Sequence, residues 1–263
     1  MHAPKCLTIA GSDPSGGAGI QGDLKTFCAL GAYGMAAITA LTVQNSQGVT
    51  AVRPVDAETL YEQLQAALED GCDAIKIGML GTCANVRAVA RALRQLQGVP
   101  IVLDPVLVSS SGKRLLEPDG LQAMVAELLP MASVCTPNRF EAQELLGETL
   151  RNEKSLESAA EDLRKTGCKN VLITGGDSDP RSEVVVDAWH DGREFQLLRH
   201  PRVPTEHTRG TGCALAAAIC VELARGAQPL TAVLNAREFV RTRLLAAYKI
   251  GQGRGPVNHL LLD

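Results

Sequence analysis

At 263 residues, with 45% apolar and 21% charged residues and no long polar tract, the chain can bury one sizeable core, and one domain spanning 1–263 is expected. A formal charge of −3, scattered basic residues and only 3% aromatics exclude the basic footprint and stacking platforms of a nucleic-acid binder, so a small-molecule partner is expected. The opening Met1-His2-Ala3-Pro4-Lys5-Cys6 lacks the apolar stretch of a signal peptide, and no run reaches the roughly eighteen apolar residues of a membrane span, which points to the cytoplasm.

In chain order, short β-branched runs predict strands at 7–10, 36–43, 74–77, 101–103, 133–135 and 171–173. Amphipathic periodicity between them predicts helices at 58–68, 86–96, 122–129 and 156–163. The runs 184–189 and 194–198 flank Asp191-Gly192, a hairpin signal that adds an antiparallel edge. Two helices close the chain, from about Gly212 to Ala224 and from about Leu230 to Tyr248. Such alternation implies an α/β fold with a mostly parallel sheet and helices on both faces.

The 8 cysteines stand singly, without a Cys-x-x-Cys or a nearby His pair, so zinc, thioredoxin-type and disulfide-scaffold readings fail on spacing. Most read as reduced core residues. Cys213 differs, because it alone sits at a predicted helix N-terminus, where a thiolate is stabilised.

Ligands of an open parallel sheet bind outside the carboxyl ends of its strands. There the sequence places Gly11-Ser12-Asp13, Gln44-Asn45, Gly78-Met79, Asp104-Pro105, Pro137-Asn138 with Glu141, and Gly175-Gly176-Asp177. This rim combines carboxylates, amides and bare backbone. Close to it, Gly210-Thr211-Gly212-Cys213 opens onto the apolar run 214–221. A glycine turn entering a helix leaves N–H groups free at the positive end of the dipole, a ready site for a phosphate.

Residues 17–22 formally match the dinucleotide fingerprint G-x-G-x-x-G, which raises an NAD-dependent oxidoreductase. The match fails on context: a further loop, 11–16, separates it from the first strand, and the second strand ends in Gln44-Asn45 where a ribose-binding acid is wanted. A Walker A loop fails as well, since Gly17 stands where its lysine should be. What remains is a loop whose backbone can approach a ligand closely. Asp23, one turn into the following helix, reads as a cap more readily than as a ligand.

Together, residues 10–26, 38–45, 76–80, 103–106, Thr136-Pro137-Asn138 with Glu141, and 210–213 resemble the signatures of the hydroxymethylpyrimidine/phosphomethylpyrimidine kinases of thiamine synthesis, in the ribokinase-like superfamily. The resemblance runs over essentially the whole chain. It implies a three-layer α/β/α sandwich and transfer of the ATP γ-phosphoryl to a hydroxymethyl group or to the phosphate already formed there. By resemblance, Gly11, Asp23, Gln44, Met79, Val106 and Cys213 line the pyrimidine pocket. Asn138 and Glu141 match the motif that organises Mg²⁺ through water, with Asp104 near that network. The amides of Gly210, Thr211, Gly212 and Cys213 stabilise the transferring phosphoryl, and Thr174, Gly210, Gly212 and Arg237 fall at the ATP.

A sparse pair of acids suits a kinase, whose Mg²⁺ bridges phosphate oxygens and keeps much of its water. Superfamily members commonly carry Asp where this family has Cys, which makes Cys213 a candidate base. Arg209 replaces a frequent His, Ala214 a Thr or Ser, and Gly22 an Ala, while Ser110, Thr174 and Arg237 stand where Lys is found in relatives. These departures bear on the ATP contacts and on the efficiency of the two phosphorylation steps. A homodimer is expected by the same analogy. The competing readings are a pyridoxal kinase on this fold and a pyrimidine-binding protein without phosphoryl transfer; Gln44 argues against the first, and the retained Asn138, Glu141 and Gly-Thr-Gly against the second.

Overall fold

The computed structural model describes residues 3–109, 112–150, 152–177 and 179–260. Its strands are β1 (Lys5–Ser12), β2 (Tyr33–Asn45), β3 (Gly48–Pro54), β4 (Ala74–Ile77), β5 (Ile101–Leu103), β6 (Val134–Cys135), β7 (Val171–Ile173), β8 (Val184–His190) and β9 (Phe195–Pro201). They form one sheet in the order β3-β2-β1-β4-β5-β6-β7-β8-β9. The centre, from β2 to β7, is parallel, while β3 pairs antiparallel with β2, β8 with β7 and β9 with β8. One antiparallel edge was expected from Asp191-Gly192. The second, β2 with β3, was not, because Ser46-Gln47 at its tip is no strong turn pair and β3 alternates weakly.

The helices are α1 (Gly19–Ala29), α2 (Ala57–Glu69), α3 (Cys83–Leu93), α4 (Pro118–Ala123), α5 (Arg139–Leu146), α6 (Glu153–Lys165), α7 (Thr211–Ala224) and α8 (Pro229–Leu245). α4 continues as a π turn over 124–128 and a 3₁₀ turn over 129–131, so the helix expected at 122–129 starts earlier and is irregular. α5 follows a short polar loop and was not foreseen.

Two cores flank the sheet. Leu7, Ile9, Ile75, Ile77 and Leu103 point to one side, against Leu60 and Leu64 of α2 and Val86, Val89 and Leu93 of α3. On the other side, Val102, Val134, Leu172 and Trp189 pack with Phe27 of α1, residues 214–221 of α7 and Ala232, Val233 and Ala236 of α8. α7 is apolar all round because it is buried all round, lying between α8, α1 and the strands β1, β4 and β5. The result is the expected three-layer α/β/α sandwich. The N-terminus of α7 thereby comes to the carboxyl edge of the central strands.

Candidate functional site

α7 begins at Gly210, which holds a left-handed conformation with φ 76°, and no side chain caps the helix. Its first-turn amides, Gly212 and Cys213 among them, have no intrahelical carbonyl to meet. A Cβ on Gly210 would collide with the Gly17 carbonyl, whereas one on Gly212 would meet nothing within 4 Å. Gly210 is thus glycine for the fold. Gly212 faces open space at the positive end of a helix, where an anion fits.

Beneath this turn lies a feature the strand pattern hid. Lys76, between Ile75 and Ile77 on β4, is fully buried and sits with its ammonium 3.0 Å from Asp23 and 3.7 Å from Asp104. A Cβ on Gly78 would come within 2.6 Å of Lys76 Nζ, so glycine at 78 leaves room for the ammonium. Burial pulls the Lys76 ammonium down, but the neighbouring carboxylates, Asp23 first and then Asp104, overcome it and hold the group well above the ordinary lysine range. A lysine on a strand buried on both faces was the available signal, because lysine is almost never buried unpaired.

Asp23 is placed by α1 under the glycine-rich loop, its Oδ2 accepting from Thr8 Oγ1 at 2.6 Å and Lys76 at 3.0 Å. It is no helix cap. Its Oδ1 has no protein partner although fully buried, and burial raises the carboxyl against the lowering effect of Lys76. The loop before α1 is organised by Asp13, which accepts from the backbone N–H groups of Ser15, Gly17 and Ala18.

A separate apolar wall is built from Ala40, Met79 and Leu115, with Val49, Val52 and Val106 packed against them. Gly11 belongs here too, since a Cβ on it would lie 3.0 Å from Met79 Sδ. Of these residues the sequence pointed to Gly11, Met79 and Val106; Ala40 comes from β2, and the rest come from the unforeseen β3 and from the 107–116 segment. Half-buried Gln44 ends β2 on this edge, its Oε1 3.2 Å from Thr42 Oγ1.

Asp104 follows β5, and its Oδ2, though buried, has no hydrogen-bond partner. Burial, together with the Asp23 charge and against Lys76, pushes its carboxyl up to about 6. Asn138 and Glu141 form a reciprocal capping box at the start of α5, Asn138 Oδ1 accepting from the Glu141 N–H and Glu141 Oε2 from the Asn138 N–H. Their pairing therefore has a structural cause of its own. Burial and the Asp104 charge raise Glu141 to about 8. Among the described residues no three His, Cys, Asp or Glu side chains gather as direct metal ligands. Two buried carboxyls, Glu141 raised by the Asp104 charge and Asp104 with an orphaned buried oxygen, nevertheless suit a divalent cation held largely through water.

Cys213 is half-buried, and its sulfur lies among the charges of Lys76, Asp104 and Asp23. Burial pushes the thiol up to about 12, against the lowering effect of Lys76 and of a hydrogen bond with the Gly19 backbone. The expectation that the helix end lowers it toward neutrality is not met, because burial and the neighbouring carboxylates outweigh what lowers it.

Arg237, expected at the nucleotide phosphates, instead pairs with buried Asp187 at 3.1 Å and donates to the Leu198 carbonyl. Asp187 in turn accepts from the Gly175 N–H and so shapes the turn after β7. Thr174 sits beside Asn138 at the ends of β7 and β6, its N–H bonded to the Pro137 carbonyl. Ser110 lies outside the described residues. No helix among the described residues is long and apolar enough to cross a membrane.

A family model described as phosphomethylpyrimidine kinase matches residues 13–258. The hydroxymethylpyrimidine/phosphomethylpyrimidine kinase of Haemophilus influenzae is 44% identical over 98% of this chain and 97% of its own length. A phosphomethylpyrimidine kinase from Clostridium difficile superimposes with a TM-score of 0.80 at 36% identity, covering 91% of this chain and 98% of that one. The pyridoxal kinase of Staphylococcus aureus, in complex with AMP-PCP and pyridoxal, gives a TM-score of 0.89 at 36% identity over 98% of this chain and 94% of that one.

Proposed function

The chain belongs to the phosphomethylpyrimidine kinase family, and on that premise we propose that it phosphorylates 4-amino-5-hydroxymethyl-2-methylpyrimidine and its monophosphate at the expense of ATP, giving the pyrimidine diphosphate for thiamine synthesis. The observation that carries this reading is the meeting of two half-sites: the wall of Ala40, Met79 and Leu115 beside Gln44, and the uncapped start of α7.

Gln44 can accept from an exocyclic amine through its carbonyl and donate its NH₂ to the adjacent ring nitrogen, a two-bond match to an aminopyrimidine edge. The orphaned Asp23 Oδ1 offers a further acceptor to the ring. Lys76 offsets part of the cost of burying that carboxyl, as a buried ion needs a paired counter-charge.

Phosphoryl transfer runs through a loose transition state, so positioning and electrostatic stabilisation carry most of the catalysis. The amides of Gly210, Gly212 and Cys213 would meet the phosphoryl oxygens without reorganisation, whereas the Thr211 N–H is already donated to the Thr208 carbonyl. Asp104 and Glu141 would hold Mg²⁺ through water, with the cap of Asn138 fixing Glu141. The bound metal supplies neutralisation of the charge on the phosphate oxygens. For Cys213 to take the acceptor's proton, bound ligands must first bring its thiol down from about 12; the amides require no such change, and the main catalytic part is assigned to them. Arg237 supports the turn after β7 through Asp187 instead of touching phosphate.

The second reading, pyridoxal phosphorylation, is favoured by the likeness to a pyridoxal kinase. A coupled ADP-release assay with the hydroxymethylpyrimidine, its monophosphate, pyridoxal and thiamine as separate substrates tests both. Turnover highest with the two pyrimidines is expected; turnover with pyridoxal alone would replace the first reading by the second.

A further inference from the structure

Arg209 precedes the phosphate turn, yet its side chain reaches away from it into the glycine-rich loop. The Arg209 side chain is 8% exposed, with Nη2 2.7 Å from Asp13 Oδ2 and Nη1 donating to Ser15 Oγ at 2.6 Å. Asp13 is the group that also gathers the Ser15, Gly17 and Ala18 amides. The backbone of Arg209 is held as well, its N–H by the Gly255 carbonyl and its carbonyl by the Val257 N–H. One residue thus ties three segments distant in sequence: the loop 13–18, the turn 210–213 and the strap 255–257.

The same two loops touch at one further point, where the Gly17 carbonyl occupies the place in which Gly210 would carry a Cβ. That contact has no charge, and of the two only the Arg209 fork spans two acceptors on the opposing loop. A lysine delivers a single ammonium and cannot reproduce that planar fork.

Resting on the reading that acceptor and nucleotide meet here, we infer that Arg209 is a positioning residue that locks the acceptor loop and the phosphate turn into one unit before either ligand arrives. With the lock in place the fold has already ordered both loops, and each ligand binds without that cost. Without it, whichever ligand binds first must order both loops, and the second then binds more tightly with no new contact of its own. Removal of Arg209 therefore creates cooperativity between the two ligands. A residue that merely stabilised the fold would not have this effect.

The test uses Arg209→Gln and Arg209→Lys in the full chain. In the ligand-free protein, amide exchange read by mass spectrometry should accelerate together in 13–18 and 210–213 in Arg209→Gln, less so in Arg209→Lys, and stay unchanged in α2 and α6. Calorimetric titration with a non-hydrolysable ATP analogue and Mg²⁺ should give wild-type affinities that the hydroxymethylpyrimidine alters by less than about twofold, against roughly fivefold or more in Arg209→Gln. Unchanged exchange in 13–18, or faster exchange throughout the fold in both variants, overturns the inference. A wild-type chain that binds the nucleotide analogue but no hydroxymethylpyrimidine overturns the proposed substrate, while the exchange measurement still decides the role of Arg209.

Discussion

Lys76 and Asp23 face one another at 3.0 Å with neither side chain exposed, and Asp104 stands 3.7 Å from the same ammonium. One cation thus compensates two carboxylates at the centre of the sheet. Replacing it by the similarly shaped, uncharged Met leaves both acids buried without a counter-charge, and breaking a buried pair in this way costs roughly 3–5 kcal/mol. Lys76→Met should lose about that much in urea unfolding at neutral pH, and Lys76→Met/Asp23→Asn should recover part of it. A loss under about 1 kcal/mol, within the range of exposed pairs, would mean the ammonium is not the compensating group.

Stability should also fall with rising pH. Burial raises Asp104 to about 6 and Glu141 to about 8; both carboxyls hold their protons more tightly folded than unfolded. Groups shifted upward contribute stability that is present below their unfolded values and is lost as pH rises through the folded ones. The ligand-free chain should therefore show a higher urea midpoint at pH 5 than at pH 8. Glu141→Gln should flatten the slope, and an equal slope in that variant would assign the proton to another group.

The two glycines at the start of α7 should fail differently. Gly210→Ala forces a left-handed residue against the Gly17 carbonyl and should cost more than about 1 kcal/mol of stability. Gly212→Val has room in the ligand-free chain but fills the space over the amides, and losing such stabilisation costs on the order of 10²–10³ in turnover. Its melting profile should stay normal. Full activity of Gly212→Val would place the phosphate elsewhere.

Gln44→Met removes the side-chain amide that matches the aminopyrimidine edge. An unpaired buried polar group costs about 1–3 kcal/mol, so kcat/KM for the hydroxymethylpyrimidine should drop roughly ten- to hundredfold, with the preference moving toward pyridoxal. An unchanged ratio of the two kcat/KM values would remove Gln44 from recognition.

A thiol pushed up to about 12 is a poor nucleophile at neutral pH, because the thiolate is the reactive form. In ligand-free protein, alkylation followed by peptide mass mapping should modify exposed Cys28 well before Cys213. The reverse order would show an ionised Cys213 and restore it as the leading candidate for the base.

Much of the fold was legible because periodicity is a local property. The runs at 74–77, 101–103 and 171–173 became strands with those bounds, and an apolar stretch after Gly-Thr-Gly became the buried α7, since an all-round apolar helix has nowhere else to go. The rim residues followed from strand ends in the same way: Gly11, Gln44, Asp104 and Asn138 do lie at the carboxyl edge of the sheet. Charge and pairing were not local. Lys76 looked like part of an apolar strand until tertiary packing set Asp23 of α1 and Asp104, just after β5, around its ammonium. Arg237 looked free for a phosphate until β8 brought Asp187 against it, and Cys213 looked acidified by its helix until burial pushed its thiol up. In each case the deciding term was desolvation plus a partner remote in sequence, which depends on what folds over a residue, and spacing along the chain carries no record of it.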